Sequence, residues 1–258
     1  MPEEFDGQRS SSERVPENIR YVGFDLDGTL IDTLGSHYKI FGAFIHDRYG
    51  IDPVEAAGHY RATSGLPTAD QIASLLEKHH IPVDRSETSR LGQEADALLE
   101  NAEGIPFPEV VATLKRLKDG GYRVFVSSSH PTDAVRQILA KHELDGLVDA
   151  SFGTDFRDPS FRKGEAHFRK VAEELKIPYE EFLPSIVFIG DGASDMEAAK
   201  GSGAFALGRA GTGTAGDLMK SGAYAALDDL SNLPELLTHP EELQRLRQEL
   251  KKTEGGHL

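Results

Sequence analysis

The sequence predicts an α/β protein, in which a doubly wound parallel sheet carries helices on both faces and is interrupted by an inserted helical block. Three observations predict it. Short apolar runs end in polar, glycine-bearing turns; helix and strand patterns alternate after residue 106; and one strand precedes a long stretch that contains only helical spacing. Residues 1–19 form a polar tail. The run RYVGFDL then reads as a strand that collapses into the turn DGTLIDT. From about residue 35 to 105 apolar residues recur at helical spacing, as in HYKIFGAFIHDRY, ADQIASLLEKHH and SRLGQEADALLENA, with breaks at Pro53, Pro67 and Pro82. Past GIPFPE the chain alternates: EVVATLKRLKDGG, YRVFVSS, TDAVRQILAKHEL, VDASFG, KGEAHFRKVAEELKI, SIVFIGD, ASDMEAAKGSG and AFALG. Because strands lie on both sides of the helical block, the block is an insertion. The expected units are therefore a core at 20–34 and 106–238, a helical unit at 35–105, and a charged, exposed C-terminal helix or tail at 239–258.

Composition narrows the function classes. The 258 residues carry 28 Lys plus Arg against 43 Asp plus Glu, a net charge of −15, and such a field repels phosphate backbones and anionic lipid. No nucleic-acid or membrane partner is expected. With no cysteine, disulfides, thiolate metal sites and a cysteine nucleophile are excluded. The opening MPEEFDGQRSSSERVPENIR has no apolar run after its charges, and no later segment approaches the roughly 20 apolar residues of a membrane span. The expected location is the cytoplasm. Monomer and dimer both remain open.

In open parallel sheets ligands sit beyond the carboxyl ends of the strands, so the polar residues that close each apolar run are the candidate site. The first run ends in Asp25-Leu26-Asp27-Gly28-Thr29, another in Ser127-Ser128, and a later one in Gly190-Asp191-Gly192-Ala193-Ser194-Asp195. Lys163 stands at the start of a helix after a loop. Asp25 and Asp27 fall on one side of an extended chain and repel each other unless a cation lies between them or one keeps its proton. With Asp191 they offer an all-oxygen donor set suited to Mg2+. Lys163 and the hydroxyl of Ser127 complete a crescent that suits a phosphoryl group. An Asp carboxylate is able to serve there as nucleophile, with the neighbouring Asp27 able to protonate the leaving oxygen and later accept a proton from water.

These segments resemble the four motifs of the haloacid dehalogenase (HAD) superfamily. The first motif, DxDGT, matches Asp25 to Thr29; the second is Ser127; the third is Lys163; the fourth, of GDxxxD type, matches Asp191 and Asp195. Order and spacing agree through about residue 210, so the resemblance covers nearly all of the chain except its tails. It implies a Rossmann-like core with Asp25 as nucleophile and Asp27 as acid/base. Mg2+ would be held by Asp25, the Asp27 carbonyl and Asp191, with Asp195 supporting the metal site. Dehalogenases of the superfamily lack the second Asp of the first motif, so Asp27 argues for phosphoryl chemistry. The inserted block resembles the small α-helical cap of phosphoglycolate phosphatases, sugar-phosphate phosphatases, phosphonatase and β-phosphoglucomutase. In those relatives the cap chooses the substrate.

The expected activity is thus Mg2+-dependent hydrolysis of a small phosphorylated metabolite, phosphoglycolate or a sugar phosphate. A phosphomutase of the β-phosphoglucomutase type and a non-catalytic module that binds a phosphoryl ligand are the alternatives. Thr29 and Ser128 are further hydroxyls for phosphate or substrate. His37, 12 positions after Asp25, and His130 are each read either as substrate contacts or as structural residues. His46, His59, His79 and His80 are read as solvated. Residues 61–68 look like the specificity loop of this cap type, where Ser64 and Thr68 stand in place of cationic anchors for a second phosphate. Arg61 would substitute as an anchor or form only a surface ion pair. Lys39 has no support as a Schiff-base lysine.

Overall fold

The computed structural model describes residues 15–16, 18–63, 66–100, 103–155, 157–158, 160–211 and 213–255, and the chain divides into two compact units, 1–31 with 106–258 and 32–105. The chain leaves the first unit through β2 (Ile31–Asp32) and returns through β3 (Ile105–Pro106), after β1 (Tyr21–Phe24) has been laid down. The first unit then adds β4 (Arg123–Pro131), β5 (Ala150–Thr154), β6 (Ile186–Gly190), β7 (Phe205–Arg209) and β8 (Ala226–Leu227). Together with β1 these make one parallel sheet in the order β5-β4-β1-β6-β7-β8. The chain builds outward from β1 to one side, then resumes on the other with β6. The topological switch point therefore lies between β1 and β6.

Strand alternation sorts the core residues onto the two faces of this sheet. Val22, Phe24, Val124, Val126, Val187 and Ile189 belong to one buried cluster, which also takes in Leu114 of α5 (Val110–Asp119), Val135 of α6 (Thr132–Lys141) and Leu233 of α11 (Leu233–Thr238). Tyr21, Phe125, Ile186 and Phe188 belong to the other, with Phe168 of α7 (Glu165–Leu175), Phe182 of α8 (Tyr179–Phe182), Met196 of α9 (Ala193–Ser202) and Leu218 of α10 (Ala215–Ser221). Period-two alternation thus produces the doubly wound architecture. The last helix, α12 (Pro240–Gly255), departs from its sequence reading as an exposed element. Leu243 is fully buried, and Leu246 and Leu250 pack against the first cluster, because their spacing forms one apolar stripe among the charges.

The second unit is helical among its described residues, with α1 (Thr33–Tyr49), α2 (Pro53–Ala62), α3 (Thr68–Lys78) and α4 (Arg85–Glu100). The prolines act as punctuation: Pro53 opens α2 at a position where its missing N–H costs nothing, and Pro67 immediately precedes α3. Asp52 caps α2 by accepting from the amides of Val54 and Glu55, 2.9 Å each. A separate apolar core joins Phe41, Phe44, Ile45, Ile72, Leu75, Leu76 and Leu91. Two histidines read as solvated are half-buried instead: His59 Nε2 lies 2.9 Å from Ser74 Oγ, and His79 Nε2 lies 2.9 Å from Glu55 Oε1. Each satisfies polar groups between neighbouring helices. Among the described residues no helix is long and apolar enough to cross a membrane.

Candidate active site

The two strands that flank the switch point carry the acidic residues. Asp25 follows β1, and its amide continues the ladder by donating to the Ile189 carbonyl at 2.8 Å. Asp191 follows β6, and Asp195 sits in the first turn of α9, where its Oδ2 accepts from the Gly192 amide at 3.0 Å. That bond uses one of the unpaired amides at the helix start and sets the carboxylate near the positive end of the helix dipole. The turn after Asp25 needs glycine: Gly28 has φ +72°, and a Cβ there would lie 2.0 Å from Asp191 Oδ2. The structure thereby packs Asp191 directly on the first-motif turn.

Asp25, Asp191 and Asp195 each present a carboxylate oxygen within 4.8 Å of the others, all three residues being buried. Lys163, two residues before α7, reaches into this group, with Nζ 2.5 Å from Asp25 Oδ1 and 2.7 Å from Asp195 Oδ1. Burial comes first among the influences on Asp25 and, with the Asp195 charge added, pushes its pKa up to about 7 against the pull of Lys163. For Lys163 burial acts downward, but the two carboxylates together outweigh it and its pKa is raised. Among the described residues, Asp25, Asp191 and Asp195 gather with Lys163 into a buried group whose metal donors are carboxylate oxygens alone. Such a donor set fits a hard divalent cation.

Asp27 is not one of this trio. Its side chain is half-exposed, and Oδ2 lies 2.7 Å from Nε2 of His130. His130 reaches it through an irregularity in β4, whose register against β5 shifts between Ser127 and Pro131. Gly153 on β5 allows the close approach, since a Cβ there would stand 2.0 Å from the His130 carbonyl oxygen.

The structure gives Ser127 a partner other than the acidic group. Its hydroxyl lies 2.8 Å from Nδ1 of the fully buried His167, on the sheet face of Phe125. Burial, then the Lys163 charge, pushes the His167 pKa down to about 4, so this imidazole is neutral and able to accept. Ser128 is also buried, and its Oγ accepts from the His130 amide at 3.2 Å. Thr29 is completely buried, with no hydrogen-bond partner for its hydroxyl among the described residues.

Sequence reasoning missed His167, although its place among Phe168, Val171 and Ala172 on the buried face of α7 follows from helical spacing. It also missed Arg209. His37 lies half-buried on α1 and Arg61 exposed on α2, both in the second unit. Ser64 is outside the described residues, and Thr68 donates its hydroxyl to Asp96 at 2.6 Å.

Comparison with known proteins finds relatives among the phosphatases. A phosphoglycolate phosphatase from Aliivibrio fischeri is 25% identical over 201 residues, which span 74% of this chain and 85% of the relative. Another, from Aquifex aeolicus, is 28% identical over 231 residues, spanning 88% and 96%. The crystal structure of a "predicted phosphatase" from Clostridium acetobutylicum shares the fold with a TM-score of 0.57 at 24% identity, covering 86% of this chain and 99% of its own. The family model of the haloacid dehalogenase-like hydrolases matches residues 19–203, and the chain is an enzyme that belongs to that family.

Proposed function

We propose that the protein is a Mg2+-dependent phosphatase that hydrolyses a small phosphate monoester through a phosphorylated Asp25. The observation that carries this reading is the buried Asp25–Asp191–Asp195 group with Lys163 inside it, at the carboxyl ends of the strands that flank the switch point. Asp25, Asp191 and the Asp27 carbonyl would hold the cation, and Asp195 would support it. Bound there, Mg2+ supplies positive charge that lets an anionic nucleophile meet an anionic phosphoryl group.

Asp25 attacks phosphorus, and the leaving alkoxide takes a proton from Asp27. Water then attacks the phosphorus of the acyl phosphate and gives its proton to Asp27, which releases inorganic phosphate and restores Asp25. Lys163 offsets charge on the phosphoryl oxygens while holding Asp25 and Asp195 in place. Ser128 takes the role first read for Ser127, because the Ser127 hydroxyl is engaged by His167 within the core. Thr29 is a further hydroxyl for the phosphoryl group. His130, against Asp27, lies on the leaving-group side.

The family membership and the phosphoglycolate phosphatases among the relatives support a small phosphate monoester, phosphoglycolate or a sugar phosphate, as substrate. A free-phosphate assay over a panel of metabolite phosphates tests the reading. Release of phosphate from phosphoglycolate or a short sugar phosphate, stopped by EDTA and restored by Mg2+, is the expected result. Turnover that survives full chelation contradicts it.

A further inference from the structure

Arg209, the last residue of β7, is 4% exposed and lies outside all four motifs. Its guanidinium makes directed contacts to Gly28, Glu109 and Phe107. Nη1 donates to the Gly28 carbonyl at 3.1 Å, Nη2 meets Glu109 Oε1 at 2.7 Å, and the group lies over the Phe107 ring with Cζ 3.3 Å from the centroid. Glu109 stands at the position that begins α5, yet its carboxylate makes no cap for that helix. Its Oε1 takes the short bond from Arg209 and a longer one, 3.5 Å, from the Leu230 amide. A buried ion pair of this kind contributes little net stability compared with apolar packing, whereas its forked geometry fixes orientation well.

The orientation fixed is that of the first-motif turn. The Gly28 amide donates to the Ile31 carbonyl at 2.8 Å, and the Gly28 carbonyl accepts from Arg209. Gly28 is thus held at both ends. Because the Asp27–Gly28 peptide is planar and trans, fixing the Gly28 N–H also fixes the Asp27 carbonyl, which points the opposite way. The same glycine is the surface on which the Asp191 carboxylate packs. The Ile31 carbonyl thus holds the Asp27–Gly28 peptide, and Arg209 holds the next one, Gly28–Thr29. From these contacts we infer that Arg209, anchored by Glu109 and Phe107, is a positioning residue: by fixing the second of the two peptides that meet at Gly28 it keeps the turn in the conformation that presents the Asp27 carbonyl and Asp191 for cation binding. This rests on the Mg2+-dependent phosphatase reading.

The test uses the full chain with Arg209→Lys, which keeps the charge and loses the fork, and Glu109→Gln, which keeps an acceptor and loses the charge. Three readouts are taken: Mg2+ binding to the resting protein by calorimetry, kcat and KM for a phosphate monoester, and hydrogen exchange of the backbone at 26–31. Arg209→Lys is expected to weaken Mg2+ binding at least tenfold and lower kcat at least tenfold, with KM within threefold of wild type and faster exchange at 26–31. Glu109→Gln should move the same readouts in the same direction by less, and it decides the matter if Arg209→Lys does not fold. Folded variants with wild-type Mg2+ affinity and wild-type exchange at 26–31 overturn the inference, even if they melt lower. Should the wild type bind no Mg2+ and release no phosphate, the phosphatase reading fails. Exchange at 26–31 then judges the clamp by itself, and unchanged protection in the variants overturns it.

Discussion

The two units of this chain treat charge in opposite ways. In the helical unit ionised groups stay at the surface: Asp52 caps α2, Arg48 pairs with Glu94, Lys78 pairs with Glu55, and the interior is mainly apolar. In the sheet unit, Asp25, Asp191, Asp195, Lys163 and Arg209 are all taken out of water. Surface pairs of the first kind contribute little, and buried groups of the second kind cost desolvation energy that only precise pairing offsets. The sheet unit therefore carries an expense that packing does not require. Its position at the switch point ties that expense to chemistry.

The largest effect expected from this contrast is on turnover. Asp25→Asn should lower kcat at least a thousandfold, about 4 kcal/mol of transition-state stabilisation, while the circular dichroism spectrum is preserved. Phosphate release at the wild-type rate would break the link between buried charge and function. Next comes Lys163→Met, which leaves two buried carboxylates without their counter-charge. It should cost about 3 kcal/mol of stability at pH 8 in metal-free buffer, measured by urea unfolding. The loss should shrink as pH falls, because Asp25 relieves the strain by taking a proton. Lys78→Met in the helical unit should leave the urea midpoint unchanged.

A third prediction concerns pH. The His167 pKa in the fold, about 4, lies below its ordinary value of 6.5. Between those values the unfolded chain binds the extra proton, so this residue's contribution is complete above pH 6.5 and is lost as pH falls toward 4, by at most about 1.4 kcal/mol per pH unit. Asp25 acts in the opposite sense. Its raised pKa of about 7 means that metal-free stability falls as pH climbs from about 4 to 7. His167→Asn should therefore flatten the acid limb of the stability profile relative to wild type. Identical slopes in both proteins would show that the imidazole does not titrate on unfolding. Mg2+ affinity should likewise weaken below pH 7, where the cation must displace a proton from Asp25. The smallest effect is Asp52→Ala, which should remove about 1 kcal/mol of stability through the lost cap and change kcat by less than twofold.

Much of the fold was legible because period-two and helical patterns are local. Strand β1, the helical block and the alternation after residue 106 all appear as sequence patterns, and Asp25, Lys163, Asp191 and Asp195 were readable as polar groups that end or follow apolar runs. What escaped depends on non-local facts. Three consecutive serines follow Val126, and only the sheet's two faces separate them: Ser127 continues the Phe125 side and meets His167. The irregularity in β4 that brings His130 to Asp27 is permitted by Gly153 on another strand. Arg209 was not singled out, because its partners Gly28 and Glu109 are 181 and 100 residues away. The short elements β8, α10 and α11 carry too few residues for a period to register.

The claim on which the rest depends is that phosphorus passes through the Asp25 carboxylate. Acid quenching during turnover with Mg2+ and a phosphate monoester, followed by borohydride, reduces an acyl phosphate to the alcohol. Peptide mass spectrometry should then find homoserine at position 25 and nowhere else, in an amount that falls to zero without Mg2+ or substrate. An active enzyme that yields no homoserine at 25 while quenched at its steady state, or yields it at Asp27, Asp191 or Asp195 instead, contradicts the account.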